Sequence, residues 1–223
     1  VFSIGHRQLH VLKKLDFKVA AGETVAIVGP SGSGKSTLLN MIGCLDQPSS
    51  GSLQVFDTDV SSLDRRSAAL FRGEHIGFVF QDFNLIPVLS LFENIEYPLI
   101  MVQNWSPSKR RDRVMEMLEA VGMADQAHKR PSQISGGQKQ RAAVARALAT
   151  NAKLVLADEP TANLDSTSAH RIIELMKSMR EKFGTTFIFS THDPKIMAEA
   201  ELTFTLEDGR LIDQAELTEV AHV

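Results

Sequence analysis

The chain has 223 residues, 43% of them apolar and 23% charged, with a formal net charge of −3. That length supports one sizeable core, the composition is ordinary for a globular protein, and the charge offers no bulk attraction to nucleic acid or anionic lipid. No apolar run approaches the ~20 residues that span a bilayer, no charged-then-apolar secretory pattern stands at the start, and one cysteine rules out internal disulfides and Cys-rich metal sites, all of which fits a cytosolic protein.

In chain order, residues 11–19 alternate apolar and polar, Ala21-Gly22-Glu23 makes a turn, and Thr24–Val28 forms a continuous apolar run. The pattern predicts an antiparallel β start followed by a buried strand. Leu38, Met41, Ile42 and Leu45 follow i, i+3, i+4, i+7, so a helix begins near residue 35. Cys44 falls within that apolar set and reads as a buried small hydrophobe rather than a reactive thiol. Residues 53–56 and 76–80 are further strand candidates, with a polar helix around 63–71. From Gln81 to about residue 150 the pattern turns helical. Ser106-Pro107 supplies an N-cap and a first-turn proline, Val114, Met117, Leu118 and Val121 share one face, and Gly122 ends that helix. Residues 138–150, rich in Ala and Arg, favour another helix with close packing. Runs at 154–157 and 186–190, separated by a helix over 166–182, give the alternation of a parallel sheet. Residues 202–206, Asp208-Gly209 and 210–212 read as a closing hairpin.

Chemistry concentrates at the ends of these runs. Gly29-Pro30-Ser31-Gly32-Ser33-Gly34-Lys35-Ser36 matches G-x-x-x-x-G-K-[ST], whose backbone N–H groups cradle a nucleotide's phosphates between a strand and a helix. The glycines let backbone approach phosphate, Lys35 supplies a cation for the β and γ oxygens, and Ser36 offers a hydroxyl to Mg²⁺. Asp158 follows four apolar residues at the C-terminal end of a buried strand, the edge at which open α/β sheets bind ligands, and is expected to hold Mg²⁺. The adjacent Glu159 points the other way and suits a general base for the attacking water. Gln81, just past the 76–80 strand, offers a neutral amide to Mg²⁺ and water. His192, in Ser190-Thr191-His192-Asp193, can donate to a γ-phosphate and the lytic water. Taken alone, an acidic pair, a glutamine or a histidine at a strand end is more often structural; the phosphate loop is what raises their weight.

Between these motifs stands Ile134-Ser135-Gly136-Gly137-Gln138. With it, the order of phosphate loop, Gln81, Ser-Gly-Gly-Gln, Asp158-Glu159, Asn163-Leu164-Asp165 and His192 resembles the ATPase subunits of ATP-binding-cassette (ABC) proteins, over essentially the whole chain. The resemblance implies an α/β fold: a RecA-like P-loop NTPase core with an antiparallel β subdomain and an inserted α-helical subdomain. Residues 1–80 and 151–223 would carry the first two, and about 81–150 the third. It implies ATP and Mg²⁺ as cofactors and a homodimer formed on ATP binding. Gly29, Pro30, Ser31, Gly32, Ser33, Gly34, Lys35, Ser36 and Thr37 would grip ATP, while Ser135, Gly136, Gly137 and Gln138 of a second copy complete the γ-phosphate site. Asp165 would sit at the dimer seam, and Phe2 would stack on adenine in place of the family's usual Tyr.

Gly43-Cys44-Leu45-Asp46, the stretch from Phe78 to Leu85, Glu93-Asn94 and Pro160-Thr161-Ala162-Asn163-Leu164-Asp165 narrow the resemblance to the lipoprotein-releasing and macrolide-exporter type. Such subunits act on the cytoplasmic face of the bacterial inner membrane. The apolar set Phe83, Leu85, Ile86, Pro87, Val88, Leu89, Leu91 and Phe92 would then line a groove, at 81–94, for a helix of the transmembrane permease. Two departures from the family pattern are Ile134 for the commoner Leu and Asn163 for the commoner Ala. The competing reading is a soluble ABC ATPase acting on nucleic acid or ribosomes. The 100 residues between Lys35 and Ser135 leave no room for a long coiled-coil insertion, and the basic run Lys109-Arg110-Arg111 with Arg113 reads as a solvated helix face, so no nucleic-acid partner is expected.

Overall fold

The structure is a computed structural model that describes the backbone of residues 2–4, 7–9 and 11–216 and the side chains of residues 11–213. A short antiparallel hairpin of β1 (Phe2–Ile4) and β2 (Arg7–Leu9) comes first. Strand β3 (Thr24–Val28), buried at every position, runs into α1 (Lys35–Ile42). A second hairpin, β4 (Gln54–Val55) with β5 (Thr58–Asp59), precedes α2 (Arg65–His75) and strand β6 (Ile76–Val79). Three helices follow: α3 (Leu91–Met101), α4 (Pro107–Ala120) and α5 (Gly136–Ala149). The chain then alternates through β7 (Leu154–Asp158), α6 (Ser166–Phe183), β8 (Thr186–Ser190) and α7 (Pro194–Glu199), and ends on the hairpin β9 (Leu202–Glu207) and β10 (Arg210–Glu216).

Six strands form the main sheet in the order β10-β9-β3-β8-β7-β6, parallel throughout except for the β9–β10 pair. The pleat sends alternate side chains to opposite faces. Leu154, Leu156 and Ile188 pack with Leu38, Leu39 and Ile42 of α1 on one face. Val155, Ala157, Phe187 and Phe189 pack with Ile172, Ile173, Met176 and Met179 of α6 and with α5 on the other. Covering both faces is what a parallel sheet requires, and it explains why these strands read as unbroken apolar runs. Strands β3, β8, β7 and β6 all end at one edge, and the segments that follow them are the four motif-bearing loops.

Several expectations are corrected. Residues 11–19 form no strand; the chain bends at Leu12 and Lys14, the latter at a left-handed φ of +50°, with Leu12, Leu15, Phe17 and Val19 half-buried against the α1-side core. The alternation there reports packing on one side without a pairing partner. Leu45 does not continue the α1 face: the helix ends at Ile42, Cys44 takes a left-handed φ of +55°, and Leu45 is exposed. The candidate strand 53–56 shrinks to two residues, because Phe56 turns the chain at φ +53°. Cys44 itself is buried, and burial pushes its thiol pKa up, with Arg72 opposing.

Candidate functional site

The lysine loop owes its shape to its glycines. Gly29 has φ +146°, and a Cβ there would strike the Leu206 carbonyl oxygen of β9. Gly34 is the N-cap of α1 at φ +109°, with no side chain capping the helix, so the first-turn N–H groups gain no cap from the chain's own side chains. Lys35 Nζ folds back across the loop, donating to Gly29 O at 2.8 Å and Pro30 O at 3.0 Å. Ser31, Gly32 and Ser36 are exposed, Thr37 is half-buried, and Ser33 is buried beneath the loop.

At the same edge, β7 ends on Asp158 in register with Ser190 of β8. By the pleat, Asp158 and Ser190 share the α1 face with Leu156 and Ile188. Among the described residues, Asp158 Oδ1, Ser190 Oγ and Ser33 Oγ are buried side-chain oxygens without a hydrogen-bond partner. Buried polar atoms are almost always satisfied, so orphaned oxygens around a phosphate-type loop point to a polar ligand or ion. Glu159 leaves the strand in a left-handed conformation, φ +46°, its N–H donating to Ser190 O at 2.8 Å. That turn carries its carboxylate to His192, whose Nδ1 lies 2.8 Å from Glu159 Oε1. An ionised carboxylate only accepts, so His192 donates from Nδ1 and leaves Nε2 free at a ring that is 74% exposed. The pair borders a cleft of ≈ 290 Å³ lined also by Thr161, Ala162, Asp193 and Pro194.

Ser135 is the N-cap of α5 and closes a capping box: its Oγ accepts from Gln138 N, and Gln138 Oε1 accepts from Ser135 N. A Cβ on Gly136 would lie 3.6–3.8 Å from Leu164, Asn163 O and Phe83, and one on Gly137 would come within 3.0 Å of Ser168 Oγ. The Ser-Gly-Gly-Gln turn thus lies against the Asn163–Asp165 segment and the start of α6, with Ser135 itself exposed. Asp165 caps α6, accepting from Thr167 N, Ser168 N and Ser168 Oγ, and the Ser168 hydroxyl and N–H hold its carboxyl below the usual range.

Gln81 is exposed just past β6, and its backbone O accepts from Asn163 Nδ2. Of the apolar set that follows, Leu85 and Phe92 pack against the helical core, and the Asn94 carboxamide ties Ile86 through both its N–H and its carbonyl. Val88 instead is 72% exposed, and Tyr97, Ile100 and Met101 of α3 are also exposed. The basic run is not a bare solvated face. Arg110 binds Glu96 and Trp105 O, and Arg113 donates to Leu148 O and Ala149 O at the end of α5. Phe2 was expected against adenine; its side chain lies outside the described residues. Two residues missed from sequence are Arg146, which donates to Phe83 O and Asn84 O, and Gln140, which donates to Pro160 O from full burial. A charged and an amide side chain among the alanines of α5 were the available signal.

The profile of the ABC transporter family matches residues 12–162. The chain is 44% identical, over 95% of its length, to the macrolide export ATP-binding/permease protein MacB of Burkholderia thailandensis, and spans about a third, 32%, of that protein. It is 43% identical to an ABC transporter ATP-binding protein of Thermotoga maritima, covering 95% of this chain and 89% of that one. An ATP-binding cassette solved as a dimer in a post-hydrolysis state with ADP and Pi superposes with a TM-score of 0.89 at 41% identity, covering 97% of this chain and 95% of that chain. Among the described residues, no helix is long and apolar enough to cross a membrane. The motifs gathered at one sheet edge, the family match and these relatives agree: the chain belongs to the ABC transporter family, as its ATP-binding ATPase cassette.

Proposed function

We propose that two copies of this cassette close head to tail around two Mg²⁺-ATP molecules, each nucleotide held between the lysine loop of one copy and the Ser135 turn of the other. The observation that carries the reading is a division within one chain. Lysine loop, Asp158, Glu159 and His192 share a sheet edge, while Ser135 is exposed on a helix start whose glycines lie against Asn163, Leu164, Phe83 and Ser168. A two-fold arrangement makes the contact self-complementary and supplies each site's missing wall.

The residues present fit the cofactors. The glycine loop with Lys35 suits a triphosphate, and Ser36, the orphaned Asp158 Oδ1 and Gln81 are oxygen donors suited to Mg²⁺. When bound, the metal neutralises charge on the β and γ oxygens. Glu159, oriented by His192, accepts the proton of the attacking water, and the exposed Nε2 of His192 remains to donate to the γ-phosphate. Closure and reopening of the dimer drive membrane-spanning permease segments of the macrolide-export or lipoprotein-releasing type, at the cytoplasmic face of the inner membrane. Those segments contact the region of Gln81 to Asn94, where Val88 rather than the inward-packed Leu85 offers the apolar anchor.

The test is steady-state ATPase against protein concentration, paired with Glu159→Gln. The rate rises faster than linearly below the dimer's dissociation constant. The variant keeps ATP binding, loses turnover by roughly 10²–10⁴, the range of a general base, and elutes as an ATP-dependent dimer. A strictly linear rate, or parent turnover in Glu159→Gln, overturns the reading.

A further inference from the structure

We infer that Asn163 is a positioning residue that latches the loop leaving Glu159 onto the backbone of Gln81, so that the base and the metal-side amide hold one relative placement. Its Nδ2 donates to Gln81 O at 3.1 Å and to Asp82 Oδ1 at 2.9 Å. Neither loop is held by sheet pairing at this point, and each is anchored separately to α5. On one side, Phe83 and Asn84 sit in consecutive left-handed conformations, φ +63° and +47°, which L-residues populate sparsely. The Arg146 guanidinium clamps both their carbonyls, and partial burial there lowers its pKa. On the other side, Gln140 donates to Pro160 O at 2.7 Å, and short turns from Glu159 to Ala162 and from Thr161 to Leu164 carry the chain to Asn163.

Helix α5 therefore grips both loops from within, and Asn163 alone joins them to each other on the solvent side through side-chain hydrogen bonds among the described residues. The commoner alanine at this position has no donor and cannot make the link. Because Ser135 caps α5, the latch also sits beside the turn proposed to meet a second copy: a Cβ on Gly136 would lie 3.8 Å from Asn163 O. A change at the Ser135 turn that shifts residues 163–164 is thereby passed to Gln81 as well as to Glu159.

This inference rests on the proposed role of Gln81, and a double-mutant cycle separates the two. ATPase kcat and KM are measured for Asn163→Ala, Gln81→Ala and the double variant of the full chain, with melting temperatures alongside. Asn163→Ala lowers kcat about three- to tenfold, the scale of one or two exposed hydrogen bonds, with KM for ATP within about twofold and an unchanged melting temperature. In the Gln81→Ala background the same substitution has no further effect, because the side chain it positions is gone. Parent kcat in Asn163→Ala, or a loss that multiplies undiminished onto Gln81→Ala, overturns the latch. Parent kcat in Gln81→Ala overturns the role of Gln81 itself, a result visible without touching Asn163. As a second readout, Asn163→Asp faces Asp82 with a like charge and loses more activity than Asn163→Ala. Adding Asp82→Asn restores a donor and recovers part of the loss; no recovery means that Asn163 does not act through this contact.

Discussion

Helices α1 and α5 both begin at a phosphate-type motif, yet their first turns are finished in opposite ways. The start of α1 is a left-handed glycine with no side-chain cap, so its leading N–H groups remain for an external anion. The start of α5 is a closed capping box in which Ser135 and Gln138 satisfy each other. One helix end is built as a receptor within its own chain. The other is a preformed, self-satisfied turn left exposed, as the proposed contact with a second copy's nucleotide requires. In the proposed dimer the lysine loop is thus the element of affinity, and the serine turn the element of assembly.

The sharpest way to break that contrast is at Lys35. Its Nζ holds only two loop carbonyls, both replaceable by water at this partly exposed position. Lys35→Ala therefore leaves the melting temperature nearly unchanged but removes a charged hydrogen bond to phosphate, about 1.5–3 kcal/mol. ATP affinity of the dilute chain, measured by titration calorimetry, falls roughly ten- to hundredfold. An unchanged affinity would mean that the loop binds through backbone alone.

Ser135→Ala should separate the two elements next. Losing the cap costs about 0.5–2 kcal/mol of stability, a melting shift of a few degrees in a chain of this size. ATP affinity of the dilute chain stays at the parent value, while turnover of concentrated protein drops about tenfold. A fall in dilute affinity matching that of Lys35→Ala would show that Ser135 serves its own chain's nucleotide, and the contrast would fail.

The lysine loop was legible from sequence because its chemistry is local: glycines where φ is positive, a strand before and a helix after. The core strands were legible because burial on both faces writes them as apolar runs, and Thr186–Ser190 is buried at every position. What escaped depends on contacts distant in sequence. Arg146 finds its carbonyl partners 62 and 63 residues away, and Asn163 reaches back 81 and 82 residues, so no local pattern announces either. The pairing of Glu159 with His192 hangs on a left-handed φ at a glutamate, which residue type does not foretell. The alternation at 11–19 misled for a related reason: it encodes which side is buried, and pairing needs a partner strand that the pattern cannot specify.

The smallest effect distinguishes α5 from its neighbour α6, whose N-cap is charged. Asp165 is fully exposed, yet the Ser168 hydroxyl and N–H, with help from Thr167, hold its carboxyl below the ordinary value. A carboxyl depressed in the folded state contributes stability that is complete above its unfolded pKa of about 3.9 and is lost as pH falls through the lower folded value. Asparagine caps nearly as well as aspartate but does not titrate. The melting difference between parent and Asp165→Asn should therefore be small and constant at neutral pH and vanish or reverse in acid, as the parent's cap protonates. The deficit of Ser135→Ala, whose cap is neutral, should stay flat across the same acid range. Melting curves of both variants from neutral pH to about pH 3 make the comparison. If the Asp165→Asn difference is equally flat, its carboxylate does not strengthen the cap through charge, and the loop before α6 is held by the Ser168 hydroxyl geometry alone.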